Sequence, residues 1–81
     1  MEEALLVNGF DKALLGFGRR CGTIVAVYSY EKCVDLLVKQ SGMSEDEAHE
    51  YMEYNVIGAF VGDKTPIFMI EVDIDDRESL Q

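Results

Sequence analysis

The chain has no tryptophan, one proline (Pro66), one histidine (His49) and only two cysteines, Cys21 and Cys33. Each scarcity closes off a class. Two cysteines do not make the framework of a small disulfide-stapled secreted domain, so both are read as reduced thiols in a cytosolic protein. A free cysteine then packs as a small hydrophobe unless its surroundings activate it. Basic residues are also few: 7 Lys and Arg stand against 16 Asp and Glu, a formal net charge of −9. Neutralising a phosphate backbone takes Lys and Arg, so direct nucleic-acid binding is not expected. No apolar run approaches the ~20 residues of a membrane span. The opening Met1-Glu2-Glu3 is acidic where a secretory leader would be basic. The expectation is a cytoplasmic protein without a membrane partner.

What is present suits one small domain over residues 1–81. A chain of this size buries roughly 60–65% of the surface its unfolded form exposes, and 48% hydrophobic residues are ample for that. The surplus leaves room for a homodimer or other homo-oligomer that covers an apolar face. The acidic balance either attracts a partner with a basic surface or keeps the chain soluble by self-repulsion.

The N-terminal part is ambiguous. Asn8-Gly9 is a turn signal, and Phe10, Ala13, Leu14 and Phe17 fit a helix face that Gly16 and Gly18 discourage. A strand over Ala13–Phe17 is the better reading, followed by a loop at Arg19-Arg20-Cys21-Gly22. Thr23–Tyr28 is β-branched on both faces, which predicts a central strand buried on both sides. Ser29 is a fair N-cap for a helix over Tyr30–Gln40, with Cys33, Val34, Leu37 and Val38 as its apolar stripe and Gly42 as its left-handed stop. Ser44 and Glu47 stand in the capping-box relation and open a second helix. There Ala48, Met52, Val56 and Ala59 recur along one face, and Asn55 falls on that same face. Pro66 precedes a last strand, Ile67–Ile74, whose alternation predicts one wet side, with a polar tail from about residue 75. The result is an α+β two-layer domain in the order β-β-α-α-β. An antiparallel sheet of two or three strands is packed by a helical hairpin.

The series Asp11-x-Ala13-x-x-Gly16, Val25-x-Val27-Tyr28, Gly42-Met43-Ser44-x-x-Glu47-Ala48, Tyr54-Asn55-Val56-x-Gly58-Ala59-x-Val61-Gly62 and Thr65-Pro66-x-Phe68 resembles a widespread family of small uncharacterised proteins of tailed bacteriophages. The pattern spans roughly residues 9–69. It carries no activity to transfer. It implies an accessory viral protein expressed in the bacterial host cytoplasm.

No catalytic constellation stands out. Gly16-x-Gly18 lacks the third glycine of a dinucleotide loop, since Cys21 is in its place, and a strand follows instead of a helix. Glu45, His49 and Glu53 share a helix face at four-residue spacing, but one histidine and two carboxylates are an incomplete metal set. Cys33 lies in a helix stripe, where burial raises a thiol pKa and leaves it inert. The chain is therefore read as no enzyme, with no cofactor and no metal.

Two binding readings remain. Carboxylates crowd the second helix (Glu45, Glu50, Glu53) and the C-terminal segment (Glu71, Asp73, Asp75). On a strand, alternate residues lie about 6.8 Å apart, close to successive phosphates along a nucleic-acid strand. Glu71, Asp73 and Asp75 would then imitate a phosphate ladder and block a host protein, an anti-defence or host-takeover function. The plainer account is that carboxylates favour a helix N-terminus and that edge charges deter aggregation. The second reading starts from Asn55, because a buried amide must find partners. It caps the turn at Gly58 or bonds the backbone near Thr65. Otherwise it joins Tyr54, Tyr28 and Thr65 in a pocket, with Arg19 and Arg20 for phosphate, that sequesters a small nucleotide-like molecule. The third possibility is an oligomer of purely structural role.

Overall fold

The computed structural model describes residues 4–59 and 62–72. A 3-10 turn over Asp11–Ala13 leads into strand β1 (Leu14–Arg20), which turns tightly into β2 (Thr23–Ser29). Cys21 (φ 50) and Gly22 (φ 84) are both left-handed, the conformation of a two-residue hairpin turn whose twist matches the strands. The expected loop at Arg19–Gly22 is thus shorter. Arg19 and Arg20 belong to β1, paired with Ile24 and Thr23.

Helix α1 (Tyr30–Ser41) follows β2 without a linker. The Ser29 hydroxyl accepts the Lys32 amide at its start, and Gly42, with φ 72, ends it in the left-handed region. Helix α2 (Glu45–Tyr51) opens with the expected capping box: the Glu47 amide donates to Ser44 Oγ, and the Ser44 amide donates to a Glu47 carboxylate oxygen. Two orphan donors of the first turn are satisfied this way. Met52–Val56 then forms a π-helical turn and Ile57–Ala59 a 3-10 turn before the short strand β3 (Ile67–Met69).

The sheet order is β1-β2-β3, with β1 antiparallel and β3 parallel to β2. A three-stranded α+β domain in the order β-β-α-α-β is what the sequence predicts; the wholly antiparallel sheet is corrected to a mixed one. The reason is connectivity. Parallel neighbours need a crossover long enough to carry the chain back to the end where the first strand began. Residues 30–66, the helical hairpin together with the segment after it, supply that length. The last strand is also shorter than Ile67–Ile74. β2 ends at Ser29, where α1 begins, so nothing continues the ladder beyond the Ser29–Met69 pair. Residues 73–81 lie outside the described residues.

β2 is central, as expected. Its neighbours Val25 and Ala26 point to opposite faces and are both buried, so the strand is covered on both sides there. The core lies between the helices and one sheet face. It joins Ala26 and Tyr28 of β2 to Cys33, Val34 and Leu37 of α1 and to Ala48, Met52 and Val56 of the second helical segment. Tyr28 stacks on Phe68 across the β2–β3 pair, with ring centroids 5.7 Å apart. Its hydroxyl accepts the Val7 amide at 2.8 Å. That single residue ties the N-terminal segment and the last strand to the centre of the sheet.

Candidate functional site

The expected pocket around Asn55 is not assembled. Asn55 is exposed, and Tyr54 is 79% exposed. The π turn explains Asn55, whereas Tyr54 stands about 160° from Met52 on an ordinary helical wheel and faces outward either way. At about 100° per residue Asn55 would stand about 60° from Met52, on the apolar stripe. A wider turn of about 4.25 residues steps by about 85° and carries Asn55 to about 105°, off it. Residues four apart now stay aligned, so Ala48, Met52 and Val56 remain buried together. Tyr28 belongs to the core, not to a pocket wall, and its hydroxyl is taken by Val7. The Thr65 hydroxyl donates to the Gly62 carbonyl at 2.9 Å within its own turn. Arg19 is an exposed strand residue. Arg20 donates to the Asp63 carbonyl at 3.0 Å and lines a shallow cavity of about 200 Å³ with Cys21, Thr23 and Asp63.

The acidic candidates divide by place. Glu71 accepts the Ser29 hydroxyl at 2.7 Å, so its carboxylate is anchored at the start of α1. It lies past the end of β3 and does not open a strand-borne ladder; Asp73 and Asp75 fall outside the described residues. Glu50 is exposed on α2. Glu45 and Glu53 are the two that enter a constellation.

That constellation is the groove between the helices. Three residues join α1 to α2, and so short a connection makes antiparallel neighbours. Glu31 and Asp35 stand one turn apart on the margin of α1, as do Glu45 and His49 on α2. They close an open groove of about 320 Å³ whose floor is Val34. At one end Tyr30 bridges the helices. Its hydroxyl lies 3.0 Å from His49 Nδ1 and donates to Glu53 Oε2 at 3.2 Å, with the Tyr30 and His49 rings 5.5 Å apart. Burial pushes the Tyr30 pKa up, and the hydrogen bond to Glu53 and that carboxylate's charge add to it. The arrangement supplies negative charge, an apolar floor and one imidazole, which suits a cationic side chain with an aliphatic stem. Among the described residues no three His, Cys, Asp or Glu side chains are placed to hold a metal ion.

No family model, curated protein or solved structure matches the chain. The phage resemblance therefore rests on its residue pattern, and the groove is read from its chemistry. Among the described residues no helix is long and apolar enough to cross a membrane. The one thiol on a helix among the described residues, Cys33, is wholly buried, and burial lifts its pKa to about 11. It is a core group without a reactive thiolate.

Sequence reasoning missed Tyr30, Glu31, Val34 and Asp35 as site residues. The signal was present as two i, i+4 spacings, the acidic pair Glu31/Asp35 and the mixed pair Glu45/His49. What the sequence lacked was the pairing of those two helix margins.

Proposed function

We propose that this chain is a non-enzymatic binding protein whose acidic helical face docks on a basic surface of a host macromolecule and blocks it. The observation that supports the reading is the groove: Glu31, Asp35 and Glu45 converge from two helices around the apolar Val34, in a chain of net charge −9. A lysine or arginine laid into it would bury its stem on Val34 and keep its charged head among carboxylates. Acidic fields of this kind also speed the encounter with a basic partner. The phage resemblance makes a bacterial host protein, such as a defence or transcription component, the expected target. The mimicry idea moves with the geometry, from a C-terminal ladder to the helical face, because Glu71 is engaged within the chain. The nucleotide-sponge alternative has no such support, since its proposed walls lie apart.

The test is capture of the target from host lysate over a salt series, with wild type beside two variants. The triple variant Glu31→Gln, Asp35→Asn, Glu45→Gln should lose the target, and wild-type capture should fall steeply with salt. Glu71→Gln should retain it. Capture that ignores salt, or that survives the triple variant, would remove the proposal. A nucleotide released on heat-denaturing the purified protein would favour the sponge instead.

A further inference from the structure

The Tyr30 hydroxyl has one proton and two neighbours, His49 Nδ1 at 3.0 Å and Glu53 Oε2 at 3.2 Å. An ionised carboxylate can only accept. If Tyr30 donated to His49, its oxygen would face the Glu53 oxygen with no proton between them. Both contacts are hydrogen bonds in one arrangement only: Tyr30 donates to Glu53 and accepts from His49 Nδ1–H. The raised pKa of Tyr30, due to burial first and to Glu53 second, agrees with a phenol that keeps its proton on the carboxylate side.

We infer that Tyr30, held by Glu53, is a positioning residue that fixes neutral His49 as the Nδ1–H tautomer and leaves Nε2 as a hydrogen-bond acceptor for the partner's cationic side chain. In a neutral imidazole one nitrogen donates and the other accepts, and the bond made by the first decides the second. His49 lines the groove with Glu31, Asp35 and Glu45. In the neutral ring, with Nδ1–H directed at Tyr30, the remaining nitrogen carries a lone pair and not a competing N–H. Every polar group lining that groove then accepts, which suits a guanidinium, a donor with no acceptor of its own. This rests on the binding reading above, but the tautomer does not.

The experiment reads the two separately. Two-bond proton–nitrogen NMR on the labelled imidazole, at a pH where the ring is neutral, should show Nδ1 protonated and Nε2 bare in the wild type. Tyr30→Phe, which keeps the ring, should move population toward Nε2–H. Glu53→Gln, whose amide oxygen still accepts from Tyr30, should retain the wild-type signature. An oligoarginine peptide is the binding probe. Tyr30→Phe should weaken it by about tenfold, the value of one hydrogen bond to a charged group. A wild-type ring protonated on Nε2, or a spectrum unchanged in Tyr30→Phe, overturns the assignment. A tautomer shift without any change in oligoarginine affinity overturns the role of Nε2 in binding. Wild-type protein that does not bind oligoarginine sinks the groove reading, and the spectra then judge the relay by themselves.

Discussion

Ser29 and Glu71 are joined by a hydrogen bond of 2.7 Å between a fully buried hydroxyl and a carboxylate 42 residues later in the chain. The same oxygen of Ser29 accepts the Lys32 amide at 3.2 Å. One side chain thus ends β2, caps α1 and fastens the segment after β3, where ladder pairing has stopped.

Ser29→Ala should therefore cost more than the loss of an ordinary cap. The cap alone is worth about 1 kcal/mol, and the bond to a charged acceptor about 1.5–3 kcal/mol. A loss of about 2–4 kcal/mol in urea denaturation is expected, with Glu71→Gln milder because its amide oxygen still accepts. A Ser29→Ala protein within about 0.5 kcal/mol of wild type would show that the clasp carries no weight.

The π turn makes opposite predictions for two neighbouring polar and apolar positions. Asn55→Ala should leave stability within about 0.5 kcal/mol, as at any exposed site. Met52→Ala, at a wholly buried position, should cost about 2–5 kcal/mol. If Asn55→Ala proved the more damaging in thermal unfolding, the amide would face inward and the turn would be α-helical.

Gly58 closes that turn against backbone. A Cβ there would stand 3.1 Å from the Glu53 carbonyl oxygen, and a backbone oxygen cannot swing aside as a flexible side chain does. Gly to Ala in a helix ordinarily gains roughly 0.5–1 kcal/mol. Here the change should lower the melting temperature. A gain would mean that the turn relaxes at no cost.

Alkaline pH should expose the two raised groups. The Cys33 thiol ordinarily titrates at 9.0 and is lifted by burial to about 11. The folded state thus keeps a proton that the unfolded chain releases. The resulting stability is complete below pH 9 and is lost as pH rises to about 11, up to roughly 2–3 kcal/mol. Tyr30, raised above 10.0, adds a second loss that begins there. Chemical denaturation at stepped pH should show the first loss absent from Cys33→Ala and the second from Tyr30→Phe. Profiles identical to wild type would contradict the assignment.

Much of this fold is legible in the residues, and the exceptions have physical causes. Ser44 and Glu47, Gly42 and the β-branched run Thr23–Tyr28 act through local backbone chemistry, so their sequence signals survive unchanged in the structure. Asn55 was misread because a helical wheel assumes one step per residue. The i, i+4, i+8 spacing of Ala48, Met52 and Val56 suits an ordinary α-helix as well as a wider one, so it carries no signal of the π turn. Strand direction escaped for another reason, since nothing local in Ile67–Met69 says which neighbour it will meet. The groove follows the same logic: Tyr30 and His49 are each unremarkable alone, and only the hairpin brings them within a hydrogen bond.

The parallel pairing of β2 with β3 also sets an order of events in time. β1 and β2 close through a two-residue turn and can meet early, whereas Tyr28 must wait for Phe68, 40 residues later, with both helices in place between them. Closing so long a loop costs entropy before any contact repays it. During synthesis the centre of the sheet keeps one open edge until β3 has emerged. Phe68→Ala should accordingly speed unfolding and leave the refolding rate almost unchanged. A matching slowdown in refolding would place the crossover at the start of folding instead of its end.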